Sequence, residues 1–131
     1  MIFVDTSALG ALFNPREAFH ERAATWSRAN RESLVTTDYV VDETLTLLRA
    51  RRAGHRAIEA GTQLFSGELA TIEFVTLDDF NRAWEIFRDY SDKSWSFTDC
   101  ASRVVMQLLN VSAAFAFDKH FRQFETISVV P

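Results

Sequence analysis

The sequence predicts an α/β fold, a central and mainly parallel sheet flanked by helices, in one domain covering residues 1–131. Three observations predict it. Short apolar runs alternate with longer segments whose apolar residues recur every three or four positions, the pattern of strands feeding helices. The connections between these segments are short and carry turn residues such as Asn14-Pro15, Gly54 and Gly67. Hydrophobic residues make up 47% of the 131, enough for one sizeable core and too many for a disordered chain.

Taken in order, Ile2-Phe3-Val4 reads as a short buried strand and Ser7 to Phe13 as a helix, broken by Asn14-Pro15. Glu17 to Asn30 is predicted helical, with Phe19, Ala23 and Trp26 on one face. Leu34-Val35-Thr36 is a second strand. Asp38 to about Ala53 forms a long helix closed by Gly54. A helix from His55 to Phe65 follows and ends near Gly67. Ile72 to Val75 reads as strand, and Asp78 to Tyr90 as a helix turning Phe80, Ala83, Trp84 and Phe87 inward. After a loop over 91–97, Thr98 to Leu109 is helical. Ala113 to Phe117 and Ile127 to Val130 complete the strands.

Composition narrows the function classes. A single cysteine, Cys100, excludes an internal disulfide framework and fits a reducing compartment. No apolar run has membrane length, and the start at Met1 lacks the layout of a signal peptide, so a cytoplasmic protein is expected. The net charge of −4 argues against a nonspecific nucleic-acid coat, yet is compatible with an enzyme whose own site is acidic. Lys93 and Lys119 are the only lysines. Arg49, Arg51, Arg52 and Arg56 form a run with no acid between them. Their planar forks suit phosphate oxygens, making them candidates for RNA binding, and a solvated helix end is the competing reading.

The chemistry lies in the acids. Asp5 follows the first strand directly, Asp99 follows Ser96-Phe97-Thr98, and Asp118 follows Ala114-Phe115-Ala116-Phe117. Ligand sites in parallel sheets lie beyond the carboxyl ends of the strands, where Asp5 and Asp118 both fall. Each also has a structural reading as a helix cap, and Ser96-Phe97-Thr98-Asp99 matches a capping box. Glu43 occupies the edge of the apolar arc of its helix, between Leu47 and Ala50, where an acid is paired to an arginine or bound to a metal. Carboxylates gathered in one pocket repel unless a cation joins them. His20, His55 and His120 show no metal-ligand spacing, and Cys100 reads as buried packing, so the hard ions Mg²⁺ and Mn²⁺ fit best.

Val4-Asp5-Thr6-Ser7-Ala8-Leu9, Asp42-Glu43, Ser96-Phe97-Thr98-Asp99 and Phe117-Asp118-Lys119-His120-Phe121 together resemble the PIN-domain ribonucleases, and among them the VapC-type toxins of toxin–antitoxin pairs. The resemblance covers the whole chain in motif order and length, and implies a metal-dependent endoribonuclease. Carried over residue by residue, it places the acidic quartet on Asp5, Glu43, Asp99 and Asp118, with Thr6, Ser7, Ser96 and Thr98 as polar neighbours. It further implies Mg²⁺ or Mn²⁺, an RNA substrate, products with a 5′-phosphate and a 3′-hydroxyl, a homodimer and a cognate antitoxin. Phe19-His20 and Ala23 resemble the stretch after the family's first helix. Glu125 departs from the pattern, since relatives often carry glycine before the last strand. Three other readings compete. A phosphoacceptor receiver domain would need an Asp ending its central strand, and the strand Ile72 to Val75 lacks one. A silent PIN-like binding module would have lost acids that are all present here. A non-toxin RNA-processing nuclease would differ only in its genetic neighbourhood.

Overall fold

A computed structural model of the chain describes residues 1–131. Its five short strands are β1 (Ile2–Val4), β2 (Leu34–Thr37), β3 (Thr71–Glu73), β4 (Ala113–Phe115) and β5 (Ser128–Val130). All pair in parallel, in the order β3-β2-β1-β4-β5. Six helices connect them: α1 (Thr6–Phe13), α2 (His20–Ala29), α3 (Asp38–Ala50), α4 (Gly54–Phe65), α5 (Leu77–Asp89) and α6 (Phe97–Leu108). No helix is long and apolar enough to cross a membrane. The α/β class, the parallel sheet and the order of elements agree with the sequence reading.

The central strand β1 is buried at every residue, and in register Phe3 faces Val35 of β2 on one side and Ala114 of β4 on the other. The chain winds outward from β1 through β2 to β3, then jumps back across the sheet to lay β4 on the opposite flank. That reversal creates a topological switch point between the carboxyl ends of β1 and β4, the position where open parallel sheets bind ligands. The backbone N–H of Asp5 donates to the carbonyl of Phe115 there (3.0 Å), tying the two strand ends together. Buried Phe3, Val4, Leu9, Val35, Phe115 and Phe121 lie at the heart of the core.

Local chemistry explains the boundaries and several departures from expectation. The second helix begins at His20 and not Glu17, because residues 15–19 are drawn into turns, with Glu17 N–H bonded to the Asn14 carbonyl (3.0 Å). Helix α3 stops before Gly54. Arg52 takes the left-handed conformation (φ 59°), the Ala53 N–H reaches the Leu48 carbonyl (2.9 Å) and the Arg52 N–H the Arg49 carbonyl (3.1 Å), a Schellman close. Gly54 instead opens α4. Asn110 (φ 55°) closes α6 in the same way, its N–H bonded to Gln107 and that of Val111 to Met106. Before β5 the left-handed residue is Thr126 (φ 66°), next to the Glu125 that broke the family pattern.

The inward assignment of α5's aromatic residues fails. Ala83 is buried, while Phe80, Trp84 and Phe87 are 44%, 51% and 41% exposed. Helix α5 packs on α6 and not on the sheet, so only a narrow stripe of it meets the core. Two tryptophans pack on the core, Trp95 buried and Trp26 partly so. Trp95 is buried with its Nε1–H donated to Gln123 Oε1 (2.8 Å), and Trp26 lies against Phe115 with ring centroids 4.2 Å apart.

Candidate active site

A cleft of about 560 Å³ opens at the switch point, bordered by Asp5, Glu43, Asp99 and Asp118. Each acid arrives on a different element. Asp5 ends β1 and caps α1, and Glu43 projects from the second turn of α3. Asp99 sits in the first turn of α6, and Asp118 follows β4 and caps a one-turn 3₁₀ helix, Lys119–Gln123. Cap and cleft roles coincide here, since the amides that satisfy a helix start also hold the carboxylate in place.

Asp5 is 3% exposed. Its Oδ2 accepts from the Ser7 N–H (3.1 Å) and the Ser7 Oγ–H (2.6 Å). Burial nevertheless pushes its carboxyl up to about 7; the Ser7 bonds oppose that rise and the nearby Asp99 charge adds to it. Asp99 is also raised, chiefly by burial and further by Asp118, against the pull of Ser96 and His120. Its capping box is complete: the Asp99 N–H donates to Ser96 Oγ (3.0 Å) and the Ser96 N–H to Asp99 Oδ2 (2.9 Å). Glu43 is half-buried and pairs with no arginine; the arginine at the cleft, Arg51, is paired with Glu17.

Ser7 carries more than the Asp5 contact. Its Oγ also accepts from the Phe117 N–H (2.9 Å) and the Asp118 N–H (3.1 Å). One hydroxyl thereby sets the β4 exit against the β1 exit and fixes where Asp118 stands relative to Asp5. Of the other polar neighbours, Ser96 and Thr6 border the cleft, and the buried Thr6 Oγ1 has no hydrogen-bond partner. Thr98 lies outside it, its carbonyl accepting from Ser102 Oγ (2.9 Å).

His120, which sequence spacing set aside, belongs to this site. Its Nδ1 lies 3.0 Å from Asp99 Oδ2, and its backbone N–H donates to Asp118 Oδ1 (2.9 Å). Ligand atoms of Asp99, Asp118 and His120 lie within 4.8 Å of one another. The signal was its place two residues after Asp118, which only the 3₁₀ turn converts into proximity. Glu17, Phe19, Arg51 and Phe117 at the cleft wall were not read as site residues from spacing, apart from Arg51 in its basic run.

The arginine run disperses. Arg51 reaches the cleft, Arg49 borders a separate groove between α3 and α4, Arg56 pairs with Glu59 (3.0 Å), and the Arg52 carbonyl accepts from Arg16 Nη2 (3.4 Å). Asp89 and Asp92 stay on the surface beside Arg88 and Lys93. Cys100 is buried, its thiol pushed up to about 11 mainly by burial, which agrees with a packing role.

The donor set fits a hard divalent cation. Asp99 and Asp118 offer oxygens and His120 a nitrogen within 4.8 Å of one another, and Asp5 and Glu43 border the same cleft. Two of the carboxyls are too buried to ionise comfortably alone, and the buried Thr6 hydroxyl is unsatisfied.

A family model described as the PIN domain matches residues 2–126. The chain is 36% identical over 131 residues to the 23S rRNA-specific endonuclease VapC20 of two Mycobacterium tuberculosis strains, covering 100% of this chain and 99% of each relative. A crystal structure of Mycobacterium tuberculosis VapC20, titled as a sarcin–ricin loop cleaving toxin, superposes with a TM-score of 0.93 at 32% identity over the whole of both chains.

Proposed function

The chain belongs to the PIN-domain family, and from that premise we propose that it is a metal-dependent endoribonuclease, the toxin of a toxin–antitoxin pair. The observation that carries this reading is the convergence of Asp5, Glu43, Asp99 and Asp118 from four elements onto one cleft at the switch point of the sheet. Asp5, Asp99 and Asp118, joined by Glu43, would hold Mg²⁺ or Mn²⁺. Such an ion, when bound, lowers the pKa of water and offsets charge on the scissile phosphate.

The chain's own residues supply the rest. Ser7 holds Asp5 and the Asp118 segment at a set separation, so the ligand geometry is built before substrate arrives. His120 and the Ser96 amide orient Asp99 through a single oxygen, leaving the other free. Glu43 has no protein partner for its carboxylate, whereas Asp118 commits Oδ1 to the His120 amide. Glu43 is therefore the acid placed to take the proton from the attacking water. In-line attack of that water on phosphorus breaks the bond to the 3′-oxygen, which takes a proton from solvent, giving a 5′-phosphate and a 3′-hydroxyl. Arg51, freed from Glu17, is placed to meet a phosphate at the cleft mouth.

Similarity to a 23S rRNA-specific endonuclease makes that RNA, and its sarcin–ricin loop, the first substrate to test. A protein acting on it works in the cytoplasm and needs a cognate antitoxin to restrain it. The exposed aromatic face of α5, with Phe80, Trp84 and Phe87, is the surface that supports a homodimer.

The deciding experiment incubates ribosomal RNA with the antitoxin-free protein and Mg²⁺ or Mn²⁺ and maps new 5′ ends, for wild type beside Asp99→Asn. Discrete cuts that require both metal and Asp99 are expected. No cuts by folded, metal-loaded wild type would overturn the reading in favour of a binding module.

A further inference from the structure

We propose that Phe19, backed by Phe117 and flanked by Arg22, forms a base-stacking subsite for the unpaired RNA nucleotide next to the scissile phosphate. The inference rests on the ribonuclease reading of the cleft and adds a residue-level account of how substrate is held there.

Phe19 lies in the turn before α2, is 44% exposed, and borders the same cleft as the acids. Its ring stacks on Phe117 with centroids 4.8 Å apart and planes 4° from parallel. The Arg22 guanidinium carbon is 5.8 Å from the Phe19 centroid and 5.6 Å from that of Phe117. Near-equal distances place the guanidinium alongside the pair, not above the outer face of Phe19. With one face on Phe117 and the edge beside Arg22, the exposure of Phe19 falls on its remaining face.

The platform is anchored. Phe117 meets Phe115 edge to face (6.0 Å, 68°), and Phe115, fully buried, packs on Trp26. The Phe117 backbone is fixed by its N–H bond to Ser7 Oγ, and Asp118 is the next residue. Phe19 and Asp118 border one cleft, so a base on Phe19 belongs to the same stretch of RNA as a phosphate at the acidic site. Phe19 is an exposed aromatic ring on the wall of a cleft that also holds four carboxylates. Unpaired bases are held by stacking on aromatic rings, and an adjacent arginine adds a phosphate contact. Purines, with the larger face, should be held more tightly than pyrimidines.

The test is a cycle between protein and substrate. Cleavage of a short RNA carrying the mapped cut is measured for wild type, Phe19→Leu and Phe19→Trp, with an intact or abasic nucleotide at each position flanking the cut. Binding of the same RNAs is read in the Asp99→Asn background, so substrate that is bound but not cut separates failure of the nuclease reading from failure of the subsite. At one position, base removal should raise KM for wild type roughly 10- to 100-fold with little change in kcat. Phe19→Leu should show the same loss on intact RNA and no further loss on abasic RNA, and Phe19→Trp should retain wild-type KM. Arg22→Gln should weaken binding at the same position. The proposal falls if Phe19→Leu is unchanged on intact RNA, or if its loss adds to that of base removal at every position. It falls equally if Phe19→Leu spares RNA binding and weakens only inhibition by the antitoxin, which would assign the face to a protein partner.

Discussion

Replacing Asp5 with asparagine should stabilise the metal-free protein at pH 8. Burial holds the Asp5 carboxyl at about 7 in the fold, against 3.8 for an unperturbed group. In the unfolded chain the proton is gone by pH 5, whereas the folded protein keeps it until about pH 7. Between those values the folded state binds more protons, so stability falls as pH rises from about 4 to about 7 and levels above. A difference of about 3 pH units, at about 1.4 kcal/mol each, bounds the cost of ionised Asp5 near 4 kcal/mol. The asparagine carbonyl can still accept from the Ser7 N–H and Oγ–H, but its amide gains two donors in a buried setting, which offsets about 1–3 kcal/mol. A net gain of about 1–3 kcal/mol is expected. Urea unfolding in EDTA at pH 5 to 8 measures it: the gap between variant and wild type should widen from pH 5 to 7 and then hold. Asp99, raised in the same direction, leaves a smaller slope in the variant. Adding Mn²⁺ at pH 8 should stabilise wild type more than the variant. A variant less stable than wild type at pH 8, or a gap independent of pH, would refute the reasoning.

Ser7→Ala removes the acceptor for two amides and a donor to Asp5, and should cost about 2–3 kcal/mol in urea unfolding and at least about tenfold in RNA cleavage. Arg51→Ala should lower the slope of log affinity against log salt for RNA by about 0.7, with Arg56→Ala unchanged, because Arg56 lies outside the cleft and Arg51 borders it; equal slopes for both would return Arg51 to a surface role. Trp84→Glu should convert a dimer to monomers in light scattering without changing the far-UV spectrum, since the ring is 51% exposed in the single chain. Thr126→Gly should raise thermal stability by about 1 kcal/mol, because a β-branched residue at φ 66° is strained and exposed glycine is not.

How far the sequence reaches is visible at individual residues. Asp5, Asp99 and Asp118 were legible because each ends a local pattern, strand or capping box, that a few neighbours specify. The Asn14-Pro15 break, the Gly67 turn (φ 80°) and the parallel character of the sheet followed from similarly local signals and from the alternation of elements. Gly54 misled because the chain spent its left-handed residue two positions earlier, on Arg52, where the Schellman bonds outweigh the cost of a side chain. Phe80, Trp84 and Phe87 misled because helical periodicity identifies an apolar face without saying what covers it.

By itself the sequence determined the α/β class and the order of strands and helices, since these depend on propensity and periodicity over a few residues, and it singled out Asp5, Glu43, Asp99 and Asp118 as candidates. Only the tertiary structure decided that those acids share one cleft, that His120 and Phe19 stand beside them, and that Arg51 alone of its run reaches the mouth. The reason is physical: convergence depends on the crossover from β3 to β4 and on long-range bonds such as Ser7 Oγ to the Asp118 amide, across 111 positions of chain. No local pattern encodes a distance between residues that far apart.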